Sequence, residues 1–321
     1  MLEIKKYIDE DLNLWEKIVK EANNGTIFHT RKFLGYHQPG RFVDHSLIIY
    51  KNTQPFVLFP AVQKEIAGKH HLISHTGASY GSFVVPPELS FADSYAIVEL
   101  LMNYAKEHDF NKIVLTPPPT IYNRRLSNYL DFALIKQGFN YLKREVSSIL
   151  FLENTIEQNF AKFKPAHQRA VRKATKAGIN IKETEEFDEF YKILKNNLKI
   201  RHNVTPTHTL EELLRLKKLF PDEIKLFGAF LENKMIAGVV NFNCTPDVVL
   251  AFYISHDEDY QETRALNLLF YSIFKWAIDH NFKVFDFGIF TVNEEPNFGL
   301  ARFKENFGAS GIFRDTFEIN L

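Results

Sequence analysis

The segment YAKEHDF at residues 104–110 returns as WAIDHNF at residues 276–282, 172 positions later. A second pair follows in the same order, since KQGF at residues 136–139 corresponds to KENF at residues 304–307, 168 positions later. Either match alone is weak, but two matches in the same order and nearly the same phase indicate a duplication. The sequence therefore predicts two copies of one fold in a single chain.

The elements predicted around these segments repeat as well. In each half, hydrophobic spacing predicts a strand, two helices, three strands, a long helix, a strand, a helix and a last strand. The long helices are expected over about 91–108 and 263–280. An antiparallel group followed by a strand–helix–strand crossover gives a mixed sheet with helices on both faces. We therefore expect an α/β (α+β) fold of two tandem units, each a mixed sheet flanked by helices, over residues 1–152 and 153–321.

The composition is that of a globular protein without overall charge. The 321 residues include 39 Lys and Arg and 39 Asp and Glu, so any anion binding has to come from a local patch. A single cysteine, Cys244, excludes an internal disulfide and a cysteine-based metal cluster. The sequence shows no signal-peptide pattern and no apolar stretch of about 20 residues. We expect a cytoplasmic protein without a transmembrane segment, with peripheral membrane contact left open.

A stretch free of acids enters the second half. Between Lys162 and Lys182 the sequence contains seven basic and no acidic residues. On a helix, four of the basic residues share one face because they follow the i, i+3, i+4, i+7 spacing: Arg169, Arg172, Lys173 and Lys176. Such a face suits a diphosphate or an RNA backbone, and the alternative is a solvated face or one paired with acids elsewhere.

Four short passages give the sequence a family resemblance. They are GLARFKENFG at residues 299–308, FDFG at 285–288, RAVRKATKAG at 169–178 and, more weakly, SYG at 79–81. Together with an element order that resembles the GNAT fold, they are similar to the FemAB-like tandem-GNAT acyltransferases. The resemblance covers nearly the whole chain, and the first passage is the most specific.

The resemblance implies an enzyme that moves an acyl or aminoacyl group onto an amine. The best-known members extend the peptide of a peptidoglycan precursor from aminoacyl-tRNA, and relatives act on other envelope glycans. We therefore expect amide formation on an envelope precursor, either a peptidoglycan peptide or an amino sugar. Aminoacyl-tRNA or acyl-CoA is the expected co-substrate. A phosphate-bearing precursor and tRNA are the expected partners, and no tightly bound cofactor, metal or DNA is expected.

Three residues of the second half are candidates for catalysis. Lys304 suits the oxyanion that forms at the attacked carbonyl, or a donor phosphate; the alternative is a surface lysine beside Glu305. Lys136 at the equivalent place in the first half warns that a lysine here is a feature of the fold. Asp286 suits a general base, although capping of nearby backbone N–H groups is slightly favoured. Tyr253, near the end of the strand VVLAFYIS, is the third candidate.

The resemblance also assigns residues to substrate binding. Arg302 and Phe303 directly precede Lys304 in the most specific passage. Like the basic helix, they are expected to contact the donor or the acceptor. In the first half, the loop around Tyr80 and Gly81 is expected to help hold the acceptor.

The sequence departs from single-domain GNAT enzymes where those enzymes hold acyl-CoA. They carry Q/R-x-x-G-x-G/A before the long helix, whereas residues 261–266 here read QETRAL. Both glycines are missing, and Glu262 is expected to repel a phosphate. This favours aminoacyl-tRNA, or CoA held in another way. Two alternatives to an acyltransferase stay open: an RNA-binding module without catalytic activity, and a degenerate GNAT pair that serves as a scaffold.

Overall fold

The computed structural model describes residues 1–202 and 205–321, and for residues 199–202 it describes the backbone alone. Two compact units form: Met1–Glu145 with Phe313–Leu321, and Val146–Ile312. The predicted division after residue 152 placed the last strand in the second unit. In the structure the C-terminal segment belongs to the first unit, because Phe317 is fully buried in that core and pairs with Leu115.

The first unit contains four helices in the described residues: α1 (Leu12–Glu21), α2 (Arg31–Leu34), α3 (Phe91–Glu107) and α4 (Tyr129–Lys136). Its strands up to residue 115 are β1 (Leu2–Lys6), β2 (Val43–Asp44), β3 (Leu47–Lys51), β4 (Gln54–Phe59), β5 (Val62–Ile66), β6 (Lys69–Ser74) and β7 (Lys112–Leu115).

The remaining elements follow from residue 140 onward. The strands are β8 (Asn140–Phe151), β9 (Asn180–Thr184), β10 (Ile224–Leu231), β11 (Lys234–Asn243), β12 (Val248–His256), β13 (Val284–Ile289), β14 (Thr291–Val292), β15 (Glu295–Pro296) and β16 (Ser310–Asn320). The helices are α5 (Ile156–Lys162), α6 (Pro165–Lys176), α7 (Phe187–His202), α8 (Leu210–Leu219), α9 (Ala265–Asp279) and α10 (Phe298–Glu305).

In the first unit, strands β1, β3 and β4 form an antiparallel sheet. A second sheet has the order β2-β5-β6-β7-β16, in which β6 and β7 are parallel and α3 connects them. Ile97 and Leu101 on the inner face of α3 are fully buried, together with Ala133 of α4. This core is therefore that of a layered α/β unit.

In the second unit the strand order is β8-β13-β12-β11-β10-β9. Only β12 and β13 run parallel among these described strands, and the long helix α9 connects them. Leu269, Ile273 and Ala277 of α9 are fully buried against the sheet. Both units thus contain a parallel strand pair joined by a long helix, which confirms the predicted fold class of mixed sheets flanked by helices.

Local sequence signals set several helix ends. Pro165 occupies the first turn of α6, where its missing N–H costs nothing. Thr209 and Glu212 form a capping box at the start of α8, and the hydroxyl of Ser90 caps α3 through the Asp93 N–H. These caps set the starts of α3, α6 and α8, and α3 lies within a few residues of its predicted range.

Two apolar segments of the first unit, each of which predicts a single strand by composition, form less strand in the structure. The segment FVLFPAVQ at residues 56–63 forms the ends of two strands, because Pro60 has no N–H to donate to a ladder. The segment SFVV at 82–85 makes only an isolated bridge between Val84 and Leu58. None of the described helices combines the length and apolar content needed to cross a bilayer.

Candidate active site

The parallel strands β12 and β13 separate part-way along their length. Their register pairs end at Leu250 and Asp286, although β12 continues to His256 and β13 to Ile289. Within the described residues, the rest of β12 pairs with β11 alone. A bulge lies there as well, since Phe252 stands between two residues that pair with consecutive positions of β11. Separated and bulged strands leave backbone groups unpaired, so this opening can present peptide N–H groups to a substrate.

The N-terminus of α9 lies beyond the end of β12. A 3-10 helix over Glu258–Thr263 leads into the segment in which both cradle glycines are missing. Arg264 then begins α9 in the left-handed conformation with φ of 61°. In the described chain no side chain caps this helix. Its first N–H groups and the helix dipole therefore form a positive end that suits an anion.

Glu262 does not stand alone at this end of α9. Its carboxylate lies 3.7 Å from the Lys173 ammonium and 3.7 Å from the Arg264 guanidinium. The expected repulsion of a phosphate is therefore offset by two cations. Because the Glu262 side chain is 82% exposed, both ion pairs are weak, and a more highly charged anion can displace it.

The basic helix α6 forms as the spacing predicts. His167, Val171 and Ala174 are buried, whereas the opposite face is exposed. That face carries the predicted cations Arg169, Arg172, Lys173 and Lys176. In the described part of the chain only Lys173 has a carboxylate partner, and the Arg172 guanidinium lies 5.8 Å from the centre of the Phe160 ring. The alternative in which acids neutralise this face therefore does not hold for the described residues.

Lys304 lies inside the second unit. Its side chain is 1% exposed, and Nζ donates to the carbonyl oxygens of Gly288 at 2.7 Å and Ile289 at 2.8 Å. Burial lowers the pKa of Lys304 to about 7, and Asp286 opposes this shift. The amine thus holds the end of β13. This buried position contradicts the alternative of a surface lysine beside Glu305, and the role of Lys304 toward an oxyanion or a donor phosphate stays a prediction.

Asp286 is fully buried at the end of the β12–β13 pairing. One carboxylate oxygen accepts from Ser147 Oγ of β8 at 2.5 Å and from the Gly288 N–H at 2.7 Å. These contacts match the capping role that the sequence slightly favoured over a general base. Asp286 and Lys304 together hold the Gly288–Ile289 end of β13, where the strand shifts its register against β8.

Tyr253 is buried and bonded to a different element. Its hydroxyl oxygen lies 3.1 Å from the backbone N–H of His208, which donates to it, and 2.8 Å from His208 Nδ1. Burial raises the pKa of Tyr253 to about 12, so the phenol keeps its proton at neutral pH. Both of these partner atoms belong to His208, which lies just before α8.

The GLARFKENFG passage is explained largely by packing. Phe303 is half-buried, with its ring centre 5.4 Å from His167 and 5.1 Å from Phe307. Phe307 is fully buried, and Arg302 is exposed. Of this passage, Arg302 is therefore the cation that can reach a ligand, while Phe303 and Lys304 hold α10 in place.

In the first unit, Tyr80 and Gly81 lie in the interior. Tyr80 is 1% exposed and packs edge-on against Phe28 and Tyr122, at ring distances of 5.4 and 5.1 Å. Gly81 donates its N–H to the Thr116 carbonyl at 2.8 Å. The Tyr80 ring therefore belongs to the core, and the expected role of the loop around Tyr80 and Gly81 in holding an acceptor stays a prediction.

Three residues of the site were not predicted from the sequence: Ser147, His208 and Arg264. Ser147 lies in the apolar strand segment VSSILFL, and His208 lies in a turn, so neither carries a motif. Arg264 lies in the segment QETRAL at 261–266, whose interpretation rested on its two missing glycines. Its left-handed backbone and its place beside Glu262 are set by tertiary structure, and no periodicity reveals them.

Comparison with known proteins adds the family context. Residues 161–305 match the family described as the acetyltransferase (GNAT) domain. No curated protein matches the sequence. Among solved structures, FemX superposes with a TM-score of 0.76 at 13% identity, covering 99% of this chain and 97% of FemX. The chain has the FemAB-like tandem-GNAT fold.

Two further structures share this tandem-GNAT fold. A tandem GNAT protein from the clavulanic acid biosynthesis pathway gives a TM-score of 0.59 at 10% identity, with 100% of this chain and 98% of that chain covered. The C-terminal domain of an Agrobacterium fabrum protein described as a lysylphosphatidylglycerol synthetase gives 0.59 at 11% identity, with 97% and 92% covered. The predicted family resemblance is confirmed in the fold, and the predicted enzyme class, acyltransferase, is confirmed by the acetyltransferase domain match.

Proposed function

We propose that this tandem-GNAT protein forms an amide on an amine of a cell-envelope precursor, with aminoacyl-tRNA or acyl-CoA as donor. The amine nitrogen attacks the activated carbonyl carbon, and the bond from that carbon to the donor oxygen or sulfur breaks. The amine proton leaves to water, and no covalent enzyme intermediate is needed. The second unit contributes orientation and stabilisation of the oxyanion.

The positive end of α9 carries this proposal. At the uncapped N-terminus of α9, the Lys173 and Arg264 side chains meet at Glu262, and Arg169 and Arg172 lie on the same exposed face of α6 as Lys173. The diphosphate of CoA and the backbone of tRNA both present phosphate oxygens, and guanidinium groups bind those in pairs. Beside this end lies the opening between β12 and β13, where an acyl group can meet backbone N–H groups.

The proposed roles of the three catalytic candidates follow from their contacts. Lys304 and Asp286 are positioning residues that hold the Gly288–Ile289 end of β13. Tyr253 stays protonated at neutral pH because of its raised pKa, and it is the proposed proton donor to the leaving group; water returns the proton lost by the amine to the phenolate. Replacing Tyr253 by Phe should then lower kcat and leave KM for the donor nearly unchanged.

The neighbours support an envelope substrate. A lysylphosphatidylglycerol synthetase, by its name, joins an amino acid to a membrane lipid, and its domain shares this fold. The 3-10 helix before α9 replaces a glycine cradle, which favours aminoacyl-tRNA over acyl-CoA as the donor. We place the protein in the cytoplasm with a phosphate-bearing precursor as its partner, in peripheral contact with the membrane.

Mass spectrometry of envelope precursors from cells with and without the protein tests this function. The proposal predicts a precursor that carries an added acyl or aminoacyl mass only when the protein is present. Purified protein should then produce the same mass from aminoacyl-tRNA, or from acyl-CoA. Tight, salt-sensitive tRNA binding without any transfer would favour the RNA-binding module. Neither binding nor transfer would favour the scaffold.

A further inference from the structure

The first unit contains a cavity of about 620 Å3 that the proposed chemistry does not use. It lies between the start of α3, the segment after β7 and the start of α4. Its volume is in the range of small-molecule sites, which is roughly 300–1,000 Å3. Apolar walls are available to a ligand, since Phe91 and Tyr129 are each 46% exposed and their rings lie 5.4 Å apart.

Most polar side chains on the wall already have partners within the protein. Asn23 exchanges two hydrogen bonds with the backbone of Arg125, and Asn24 bonds the backbone of Phe83 and Val85. Ser90 donates to Asp93. These groups shape the cavity, and they leave its polar recognition to the charged residues.

Asp131 is the wall residue whose charge is not matched. Its carboxylate accepts from the Asn128 amide at 3.2 Å and from its own backbone N–H, and in the described part of the chain no lysine or arginine forms an ion pair with it. The nearby Arg144 forms a two-bonded ion pair with Asp315, at 2.9 and 3.2 Å. Burial raises the pKa of Asp131, as does Asp315, while Asn128 and Arg144 oppose this. A cation in the cavity would remove the cost of this partly desolvated carboxylate.

The sign of the cavity's charge agrees with this. Its lining includes two acids, Glu88 and Asp131, against a single base, Arg125, and neither lysine nor histidine. We infer that the cavity binds a ligand in which an ammonium group is attached to an apolar or aromatic frame. The ammonium pairs with Asp131, and the frame lies on the Phe91 and Tyr129 rings. This inference does not rest on the proposed function.

Isothermal titration of the full-length protein with three matched probes tests the inference. Phenethylamine carries the ammonium, 2-phenylethanol is neutral, and 3-phenylpropionate is anionic. Because a charge-assisted hydrogen bond contributes about tenfold or more in affinity, the amine should bind at least about tenfold more tightly than the alcohol. The carboxylate should bind most weakly. Equal affinities, or no binding of the amine at millimolar concentration, would overturn the inference.

Charge variants locate the effect. Asp131→Asn keeps the side-chain shape and should abolish the preference for the amine, whereas Glu99→Gln, an exposed acid outside the cavity on α3, should keep it. Arg125→Gln removes the opposing charge at an exposed position and should tighten amine binding. This variant keeps the inference testable even if Asp131→Asn does not fold. A preference that survives in folded Asp131→Asn, or that Arg125→Gln weakens, would contradict the inference.

Discussion

Among single residues, Lys304 is the one whose interpretation changes most between the sequence and the structure. The motif alone suggests a catalytic cation, yet the side chain is buried and its ammonium donates to two backbone carbonyls. Truncation to Ala would leave a cavity and two carbonyls without donors. We expect Lys304→Ala to lower the free energy of unfolding by about 2–5 kcal/mol. A motif lysine can therefore be required for activity through the fold alone.

The depressed pKa of Lys304 makes a prediction about pH. The pKa of Lys304 is about 7 in the folded protein and 10.5 in the unfolded chain. Between these two pH values the unfolded chain therefore binds more protons than the folded protein. The stability of the protein should therefore rise with pH between about 7 and 10.5, by up to about 1.4 kcal/mol per unit from this group. Lys304→Met, which has no titrating group, should lack this rise.

Urea unfolding of the wild type and Lys304→Met across this pH range measures the difference. The gap between the two free energies should change steadily in favour of the wild type as the pH rises. Parallel curves would show that Lys304 titrates in the folded protein as it does in water.

Gly81 supplies a second test at the residue scale. A Cβ at this position would overlap the backbone of Ser74 and His75, whereas one at Gly299 would meet only the Asn297 side chain at 3.5 Å. Gly81→Ala should therefore cost more than about 2 kcal/mol of stability. Gly299→Ala, in helix α10, should be neutral or stabilising by up to about 1 kcal/mol. Equal thermal shifts of the two variants would contradict the packing role of Gly81.

At the scale of single elements, helix α6 was predictable in position and in charge. Its periodicity separates the buried Val171 and Ala174 from the exposed cations, and no acid lies within the segment. The opening between β12 and β13 was not predictable. It depends on the Phe252 bulge against β11 and on the end of β13, which contacts with β8 and α10 hold in place.

The like charges on α6 predict opposite effects on binding and stability. Arg169→Gln combined with Arg172→Gln should weaken binding of inorganic pyrophosphate several-fold, because two guanidinium groups are lost. The same change should leave stability unchanged or raise it by a few tenths of a kcal/mol, because repulsion on the helix is relieved. Titration calorimetry and thermal melts measure the two effects.

A matched control separates the helix from net charge. Lys195→Gln with Lys218→Gln removes two exposed charges from α7 and α8 of the same unit. This variant should bind pyrophosphate as the wild type does. If both double variants lose affinity equally, the α6 face has no specific role.

At the scale of the whole molecule, the duplication could be inferred from two short matches, and the element order from hydrophobic spacing. The course of the C-terminal strand could not. The segment GIFRDTFEI predicts a strand, but only the register pairs of Phe317 with Leu115 and of Ile319 with Ile113 show that it completes the first unit. Strand neighbours distant in sequence leave no mark in a single sequence.

This strand assignment predicts the effect of a truncation. A chain that ends at residue 312 lacks the β16 residues that pair with β7, and it removes the buried Phe317. Hydrogen exchange should then show loss of protection in Lys112–Leu115, while the amides of α9 in the second unit stay protected. Unchanged protection of β7 would contradict the assignment.

Transfer by the purified protein tests the central claim most directly. Envelope precursors are incubated with aminoacyl-tRNA or acyl-CoA, and the mass added to the precursor is followed with time. We predict transfer by the wild type and by the Lys195→Gln, Lys218→Gln variant. In the Arg169→Gln, Arg172→Gln variant, KM for the donor should rise about tenfold while kcat changes little. No transfer from either donor, or equal kinetics in both double variants, would contradict an acyltransferase that anchors its donor on helix α6.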